Sequence, residues 1–476
     1  MKVALLNPIS KKNEMVIRTG RCQIKCLPGI GIYPPVDLAY IATCLRHDGR
    51  ISVSIIDAAL SGDYSGFINM VSGLRPDIII MNCTTPTLYD DLSAALDLKH
   101  ELPKSRILFF GLHATVRPED VFFNDGQRTA VDFILNKEFE LTARDVCQHI
   151  LENADLAKVP GLSYVNTDGE IITNIRDSID NLDFLGFPSR DLLENEKYLL
   201  QYNGEPYTII QISRGCSNSC IYCTATIGSK RVITRSVTSI IDEIMEVKDK
   251  YRISNFMFLS DTFTASKTWV MDLCNKIIEQ DLNIKWMANS RVDKIDEETA
   301  TLMRRAGCWI VSLGIESANN NILKIAKKNT TVDQIDKSIK IFKKAGIQII
   351  GYFMFGLPAE TKESINRTIS FARKSKIDYC YFYIATPYPG TEFFRLAVDN
   401  QWLTSKTWNR FFNGDADVIE YPNLTSKELK KSVRRAYFSF YSYPKRIINY
   451  LFHIRSAYLL RQYAAISIQL IKKMIH

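Results

Sequence analysis

Residues 214–223 read "RGCSNSCIYC", and three of the chain's eleven cysteines, Cys216, Cys220 and Cys223, stand there as C-x3-C-x2-C. Their neighbours Arg214, Gly215, Ser217, Asn218 and Ser219 are polar or small. Thiols that merely fill a core sit among apolar residues, so this is a loop built around sulfur. Zinc knuckles show C-x2-C pairs with a fourth Cys or His nearby, and no His lies between His149 and His453. The reading that remains is iron–sulfur, since thiolates are the usual ligands of [4Fe–4S] clusters. Three thiolates leave one iron without a protein ligand, free to take a small molecule through an amine and a carboxylate.

The loop follows an apolar run, "YTIIQISRG" (207–215), and five more such runs come after it. They are "NFMFLSD" (255–261), "IKWMANS" (284–290), "WIVSLGIES" (309–317), "IQIIGYFMFG" (347–356) and "DYCYFYIAT" (378–386). Stretches of helical period fill the gaps, as at Asp333–Ala345. Six βα units in roughly 180 residues are too few for a closed eightfold barrel, so a partial (β/α)6 TIM-type barrel is expected over residues 206–395. Polar or special residues gather at the strands' carboxyl ends, which is the active face of such folds: Cys216, Asp261, Ser290, Arg291, Glu316, Gly356 and Pro387.

Toward the N-terminus, residues 1–155 also alternate strand and helix. The strand runs are "KVALLN" (2–7), "ISVSIID" (51–57), "DIIIMNC" (77–83), "RILFFG" (106–111) and "VDFIL" (131–135). Near-continuous apolar strands are buried on both faces, which predicts a doubly wound, Rossmann-like α/β sheet with ligands beyond its carboxyl ends. Residues 156–205 hold a hairpin turning at Asp168-Gly169 and then Pro188, and are expected to be a linker. Residues 396–476 are expected to form a C-terminal helical region with a basic tail.

Composition agrees with two or three globular domains: 476 residues, 46% hydrophobic and 24% charged. "MKVALLNPI" opens as a strand and not as a signal peptide. No apolar run approaches membrane-spanning length. A cytoplasmic location and reduced thiols are therefore expected. Cys44, Cys83, Cys147, Cys274, Cys308 and Cys380 sit among apolar residues and are expected to be small buried hydrophobes. Cys22 and Cys26 form a second C-x3-C with no third partner nearby. The net charge is +8, yet ten Lys and Arg follow Glu428 with no acidic residue, leaving residues 1–428 at −2. That tail mixes cations with apolar residues at roughly helical spacing. It suits peripheral contact with an anionic membrane surface, or packing on the body with its cations in water.

With a strand before it, six units around it and Tyr222 preceding its last cysteine, the loop resembles the signature of radical S-adenosylmethionine (SAM) enzymes. The resemblance implies that SAM chelates the open iron and that one electron from the reduced cluster cleaves it. The 5′-deoxyadenosyl radical so formed abstracts hydrogen from substrate. An electron donor such as flavodoxin or ferredoxin is implied as a partner. "LSDTFT" resembles the segment near the methionine amine. Asp261 is thus a candidate for the ammonium, the alternative being a cap on the following helix. "NSRVD" makes Arg291 a candidate for the SAM carboxylate. "GIESAN" makes Glu316 a candidate for ribose or amine, the alternative being a structural ion pair. In "GYFMFGLPAET", Gly356 would let backbone approach the adenine, with Pro358 and Glu360 opening the next helix.

The front domain extends the resemblance to the cobalamin (B12)-dependent subgroup of these enzymes, over roughly residues 1–440. "YPPVDLAYIATCLRHDGRISVSIIDA", "DIIIMNCTTPT", "GLHATVRPEDV" and "VDFILNKEFELT" carry it. It implies a corrin over the strand ends, against Thr84, Thr85, Gly111, His113, Thr115 and Glu138. Two departures stand out. D-x-H-x-x-G is absent, so cobalamin would bind without a protein His on cobalt, and His113 is expected to be a loop hydrogen-bonder. The usual G-E-G-E is Lys137-Glu138-Phe139-Glu140, a bulkier wall.

The function implied is a cobalamin-dependent methyltransferase acting on an unactivated carbon. A non-methylating enzyme like the anaerobic tetrapyrrole cyclases is the alternative, and an RNA methylthiotransferase a remote one. A small-molecule, lipid or peptide substrate is expected, and nucleic acid is not.

Overall fold

The computed structural model of the chain describes residues 1–19, 23–25, 31–227, 230–412, 418–444 and 446. Cys22, Cys26 and the tail beyond Arg446 lie outside these. The described residues divide between two compact units. The first is drawn from Met1–Cys26, Ile32–Lys197 and Thr407–Phe412, and the second from Leu27–Gly31, Tyr198–Lys406 and Asn413–His476.

In the first unit, β1 (Lys2–Asn7), β2 (Ser52–Asp57), β3 (Ile78–Asn82), β4 (Arg106–Phe110) and β5 (Phe133–Leu135) pair in parallel, in the order β2-β1-β3-β4-β5. Leu5 lies level with Ile55 on one side and Ile80 on the other. Helices α1 (Val36–Arg46), α2 (Leu88–Glu101) and α3 (Phe139–Leu151) lie among the crossovers. Leu38, Ile41 and Leu45 of α1 and Ala143 and Val146 of α3 pack on Leu5, Ile80, Leu108 and Leu135 of the sheet.

The hairpin expected in a linker belongs to this sheet. β6 (Leu162–Val165) pairs antiparallel with β5, and β7 (Ile171–Thr173) with β6, extending the sheet to seven strands. The first unit therefore runs on to Lys197, past the expected boundary at 155. The physical reason is the edge. β5 is three residues long, and an uncovered β5 would present unpaired backbone groups.

In the second unit, β8 (Tyr207–Gln211), β9 (Asn255–Leu259), β10 (Lys285–Ser290), β11 (Cys308–Glu316), β12 (Gln348–Phe355) and β13 (Tyr379–Ile384) form one parallel sheet in sequence order. Between them run α4 (Val237–Tyr251), α5 (Lys267–Glu279), α6 (Glu297–Arg305), α7 (Val332–Lys344) and α8 (Lys362–Lys374). α7 and α8 open on reciprocal capping boxes, Thr331 with Gln334 and Thr361 with Ser364. Pro358 and Glu360 therefore precede the helix and do not start it.

β13 is an edge strand, and α9 (Ser426–Tyr441) covers it. The N–H groups of Cys380 and Phe382 donate to the hydroxyls of Tyr441 and Tyr437, each at 3.2 Å. Two tyrosines thus meet backbone donors that an open edge would leave to solvent. Arg446, the first tail cation described beyond α9, donates to the carbonyls of Ala372, Arg373, Ser375 and Ile377. It satisfies carbonyls at and just beyond the C-terminal end of α8.

Cys44, Cys83, Cys147, Cys274, Cys308 and Cys380 are buried, as expected. Burial pushes Cys147 and Cys274 up to about 12, so they stay protonated and inert. No described helix is long and apolar enough to cross a membrane.

Candidate active site

The cysteine loop begins just past the carboxyl end of β8. Ser213–Arg214 pairs with Ile233–Thr234, and Gly215, at φ 87°, turns the chain into the loop. Cys216 and Cys220 are buried and Cys223 is half-buried. Distant segments clamp the loop by its backbone. The Ile221 N–H donates to the Ala326 carbonyl at 3.1 Å, and the Phe393 N–H donates to the Ile221 carbonyl at 2.9 Å. Asn218 Nδ2 donates to Cys216 Sγ at 3.2 Å, with Thr262 Oγ1 at 3.9 Å from the same sulfur.

Arg291 and Glu316 meet through a residue that sequence reasoning passed over. Lys328 Nζ stands 2.9 Å from Glu316 Oε1, and both side chains are under 10% exposed. Arg291 Nη2 donates to the Lys328 carbonyl at 2.8 Å, while its Nε donates to Asp293 at 2.8 Å. Glu316 thus forms the ion pair that was its alternative reading. It sits at φ 65°, where β11 and β12 shift register, a backbone that costs a non-glycine residue about 1–3 kcal/mol. Burial pushes the Cys220 thiol up, and the charges of Lys328 and Arg291 oppose that rise. A lysine in "IAKKNTT" looks solvent-exposed; only Gly314, two residues before Glu316, hinted at crowding there.

Asp261 is half-buried and caps no helix, because Ser266 caps α5. Beside it, Ser260 Oγ is buried with no hydrogen-bond partner. Gly356 departs from expectation. A Cβ there would lie 3.0 Å from Leu429 of α9, and Tyr421 donates to the Gly356 carbonyl at 2.7 Å. The close approach that requires glycine, at φ 86°, is made by protein. Glu360 turns back so that Oε2 accepts the Gly356 N–H at 2.6 Å, and burial raises its pKa to about 8.

Among the described residues no three His, Cys, Asp or Glu side chains converge as ligands of one ion would. A [4Fe–4S] cube places each thiolate on its own iron, so its donors need not converge. Three thiols on one clamped loop, one of them already accepting an amide N–H, fit that chemistry.

In the first unit the carboxyl ends of the strands carry Asn7, Thr84, Thr85, Gly111 and Asn136. Thr84 caps the turn Thr85–Thr87, and Thr87 Oγ1 donates to Asp91 at 2.6 Å. Asp91 takes a forked contact from buried Arg18, at 2.8 and 2.9 Å, and Arg18 also donates to the Asn82 carbonyl. Neither Arg18 nor Asp91 was legible as part of this floor. Gly111 has φ 120°, and a Cβ would meet the Cys83 carbonyl at 2.3 Å. Thr115 is exposed, its hydroxyl on the Gly111 carbonyl at 3.2 Å. Glu138 adopts φ 53° at the start of α3.

His113 is fully buried. Nδ1 is 3.2 Å from Thr85 Oγ1, Nε2 faces Asp120 at 3.6 Å, and the ring edge meets Trp408. It is packed inside the unit and so is withdrawn as a cofactor contact.

The family profile of the radical SAM superfamily matches residues 210–372. The uncharacterized methyltransferase PH0819 of Pyrococcus horikoshii is 34% identical over 88% of this chain and 90% of its own length. The anaerobic magnesium-protoporphyrin IX monomethyl ester cyclase of Rubrivivax gelatinosus is 28% identical over 77% of this chain and 66% of its own. Among solved structures, the radical SAM methyltransferase TsrM of Kitasatospora setae, holding cobalamin and a [4Fe–4S] cluster, superposes with TM-score 0.67. It is 16% identical, with 90% of this chain and 84% of that one covered. The chain is a radical SAM enzyme, of one family with the Pyrococcus methyltransferase.

Proposed function

We propose that the chain is a cobalamin-dependent radical SAM methyltransferase acting on an unactivated carbon. One observation carries the reading: three cysteines on a clamped loop at the mouth of a six-strand parallel sheet, in a chain 34% identical to a methyltransferase. We read that sheet as the open six-unit barrel of the superfamily. When bound, the cofactors supply an electron that cleaves SAM, a 5′-deoxyadenosyl radical and a carrier for the methyl group.

The chain's own residues do the holding. Cys216, Cys220 and Cys223 bind the cluster. Arg291 and Lys328, both buried, are the cations an amino-acid carboxylate requires near that loop. Asp261 and Ser260 offer polar atoms for its ammonium. The strand ends of the first unit, with Thr84, Thr85 and Gly111, are the place for a corrin. An electron donor of the flavodoxin or ferredoxin class serves the cluster, and the basic tail makes peripheral contact with anionic membrane.

A second reading rests on the likeness to the Rubrivivax cyclase, which spans 77% of the chain: the same machinery without methyl transfer. One experiment separates them. The protein is reconstituted anaerobically with iron, sulfide and hydroxocobalamin, and methyl-labelled SAM is added with candidate substrates. Label in product supports methylation. Formation of 5′-deoxyadenosine with unlabelled product supports the second reading, and absence of iron–sulfur absorption sinks both.

A further inference from the structure

The sheet of the first unit reverses at one place. β1 pairs with β2 on one side and with β3 on the other, so the order β2-β1-β3-β4-β5 changes sense between β1 and β3. Doubly wound sheets take their ligand at such a reversal, in the crevice outside the carboxyl ends of the strands. Here the pairing of β1 with β3 ends at Leu6 with Met81. Beyond that point the guanidinium of Arg18 bridges the two chains. Nη2 donates to the Pro8 carbonyl at 3.2 Å, past the end of β1. Nη1 donates to the Asn82 carbonyl at 2.6 Å, at the end of β3.

Arg18 also grips the far side of the loop that follows β3. Nη1 donates at 3.0 Å to Thr87 Oγ1, which accepts the Thr84 N–H at 3.1 Å and donates to Asp91 at 2.6 Å. Asp91, on α2, takes Nη2 at 2.8 Å and Nη1 at 2.9 Å, and the two side chains are 4% and 1% exposed. One group therefore holds residues 82–87 at both ends and ties them to β1 and α2. Charge balance alone would need Asp91 and nothing more. The further contacts use the guanidinium's rigid fork of N–H donors, which the single point charge of a lysine cannot copy.

We infer that Arg18 is a positioning residue for the cofactor of the first unit. It fixes the loop of residues 82–87 at the sheet's reversal, in the shape a corrin over these strand ends requires. The inference rests on the cobalamin reading above and adds to it a residue that acts through its neighbours, without touching the corrin. Cofactor contacts act at full strength only where the groups around them already hold them in place. A loop freed at Asn82 and Thr87 would have to be ordered again each time the cofactor binds, at a cost in affinity.

The test uses the full-length, cluster-loaded protein under anaerobic conditions, with hydroxocobalamin as the probe. Affinity is read by equilibrium dialysis well below the melting temperature. Melting temperature and iron–sulfur absorption are read on the same samples. Arg18→Met/Asp91→Leu removes both charges together, so no buried charge is stranded, and it removes the clamp. It is expected to melt as a folded protein and keep its cluster absorption, yet bind hydroxocobalamin at least about tenfold more weakly, equal to about 1.4 kcal/mol. Arg18→Lys keeps a cation beside Asp91 but cannot reach Pro8, Asn82 and Thr87 at once. It is expected to weaken binding in the same direction, and it carries the test if the double variant does not fold. A folded variant of either kind that binds hydroxocobalamin as tightly as the unsubstituted protein overturns the inference and leaves Arg18 a purely structural residue. If the unsubstituted protein takes up no hydroxocobalamin, the cobalamin reading fails and the inference falls with it.

Discussion

Lys328 Nζ and Glu316 Oε1 are 2.9 Å apart in the space a side chain on Gly314 would take. Both are buried, so removing one charge strands the other. Lys328→Met is expected to destabilise the protein by about 3–5 kcal/mol, and Lys328→Met/Glu316→Leu by clearly less. Urea denaturation monitored by circular dichroism decides it; a double variant as unstable as the single would show that the pair is not the cause.

Glu360 predicts a pH dependence. Its carboxyl is raised to about 8 in the fold, above the ordinary carboxylate value of the unfolded chain. Between the two values the folded state holds the extra proton, so stability falls as pH rises through this window, by at most about 1.4 kcal/mol per unit. Comparing denaturation at pH 5.5 and 8.5, Glu360→Gln is expected to lose this component while keeping an oxygen for the Gly356 N–H. An unchanged pH slope in the variant would refute the assignment.

The cysteines should separate by chemistry. Cys216→Ala, Cys220→Ala or Cys223→Ala is expected to abolish iron binding on reconstitution. Cys274→Ala, at a thiol held near 12 by burial, should leave iron content unchanged and cost about 1 kcal/mol in stability. Iron assay and visible absorption supply the readout, and iron retained by a loop variant would contradict the ligand set.

Gly111 and Gly126 both have positive φ but differ in surroundings. A Cβ at 111 meets backbone at 2.3 Å, and one at 126 meets nothing within 4 Å. Gly126→Ala should cost about 1–2 kcal/mol from backbone strain alone, while Gly111→Ala should cost more than about 3 kcal/mol, because a carbonyl must move. Melting temperatures of the two variants rank them; a reversed ranking would mean the β3 and β4 ends are not packed as described.

The tail is tested by flotation. Full-length protein should float with vesicles containing phosphatidylglycerol and not with pure phosphatidylcholine, and a chain ending at Tyr443 should stay unbound. Equal flotation of the two chains would remove the tail from membrane contact.

Much of the fold was legible because its strands are apolar runs bounded by turn residues, and such runs survive any packing arrangement. What could not be read depends on partners distant in sequence. The Asp168-Gly169 turn announced a hairpin, but its pairing with Phe133–Leu135 did not show in the local pattern. Gly356 looked like room for a ligand until Leu429, from another element, filled it. That His113 hydrogen-bonds was expected, but its neighbours Thr85 and Trp408 come from other elements and could not be read locally. The cysteines, by contrast, are read from their spacing alone.

That loop sits on the first strand of its sheet, yet it is fastened by Ala326 and Phe393. The ribosome completes all three cysteines well before it makes either fastening. A chain stopped ahead of Phe393 keeps all three loop cysteines and loses one of the two backbone bonds that hold Ile221 between Cys220 and Cys223. Both fastenings of the loop therefore exist only once the chain has been made as far as Phe393.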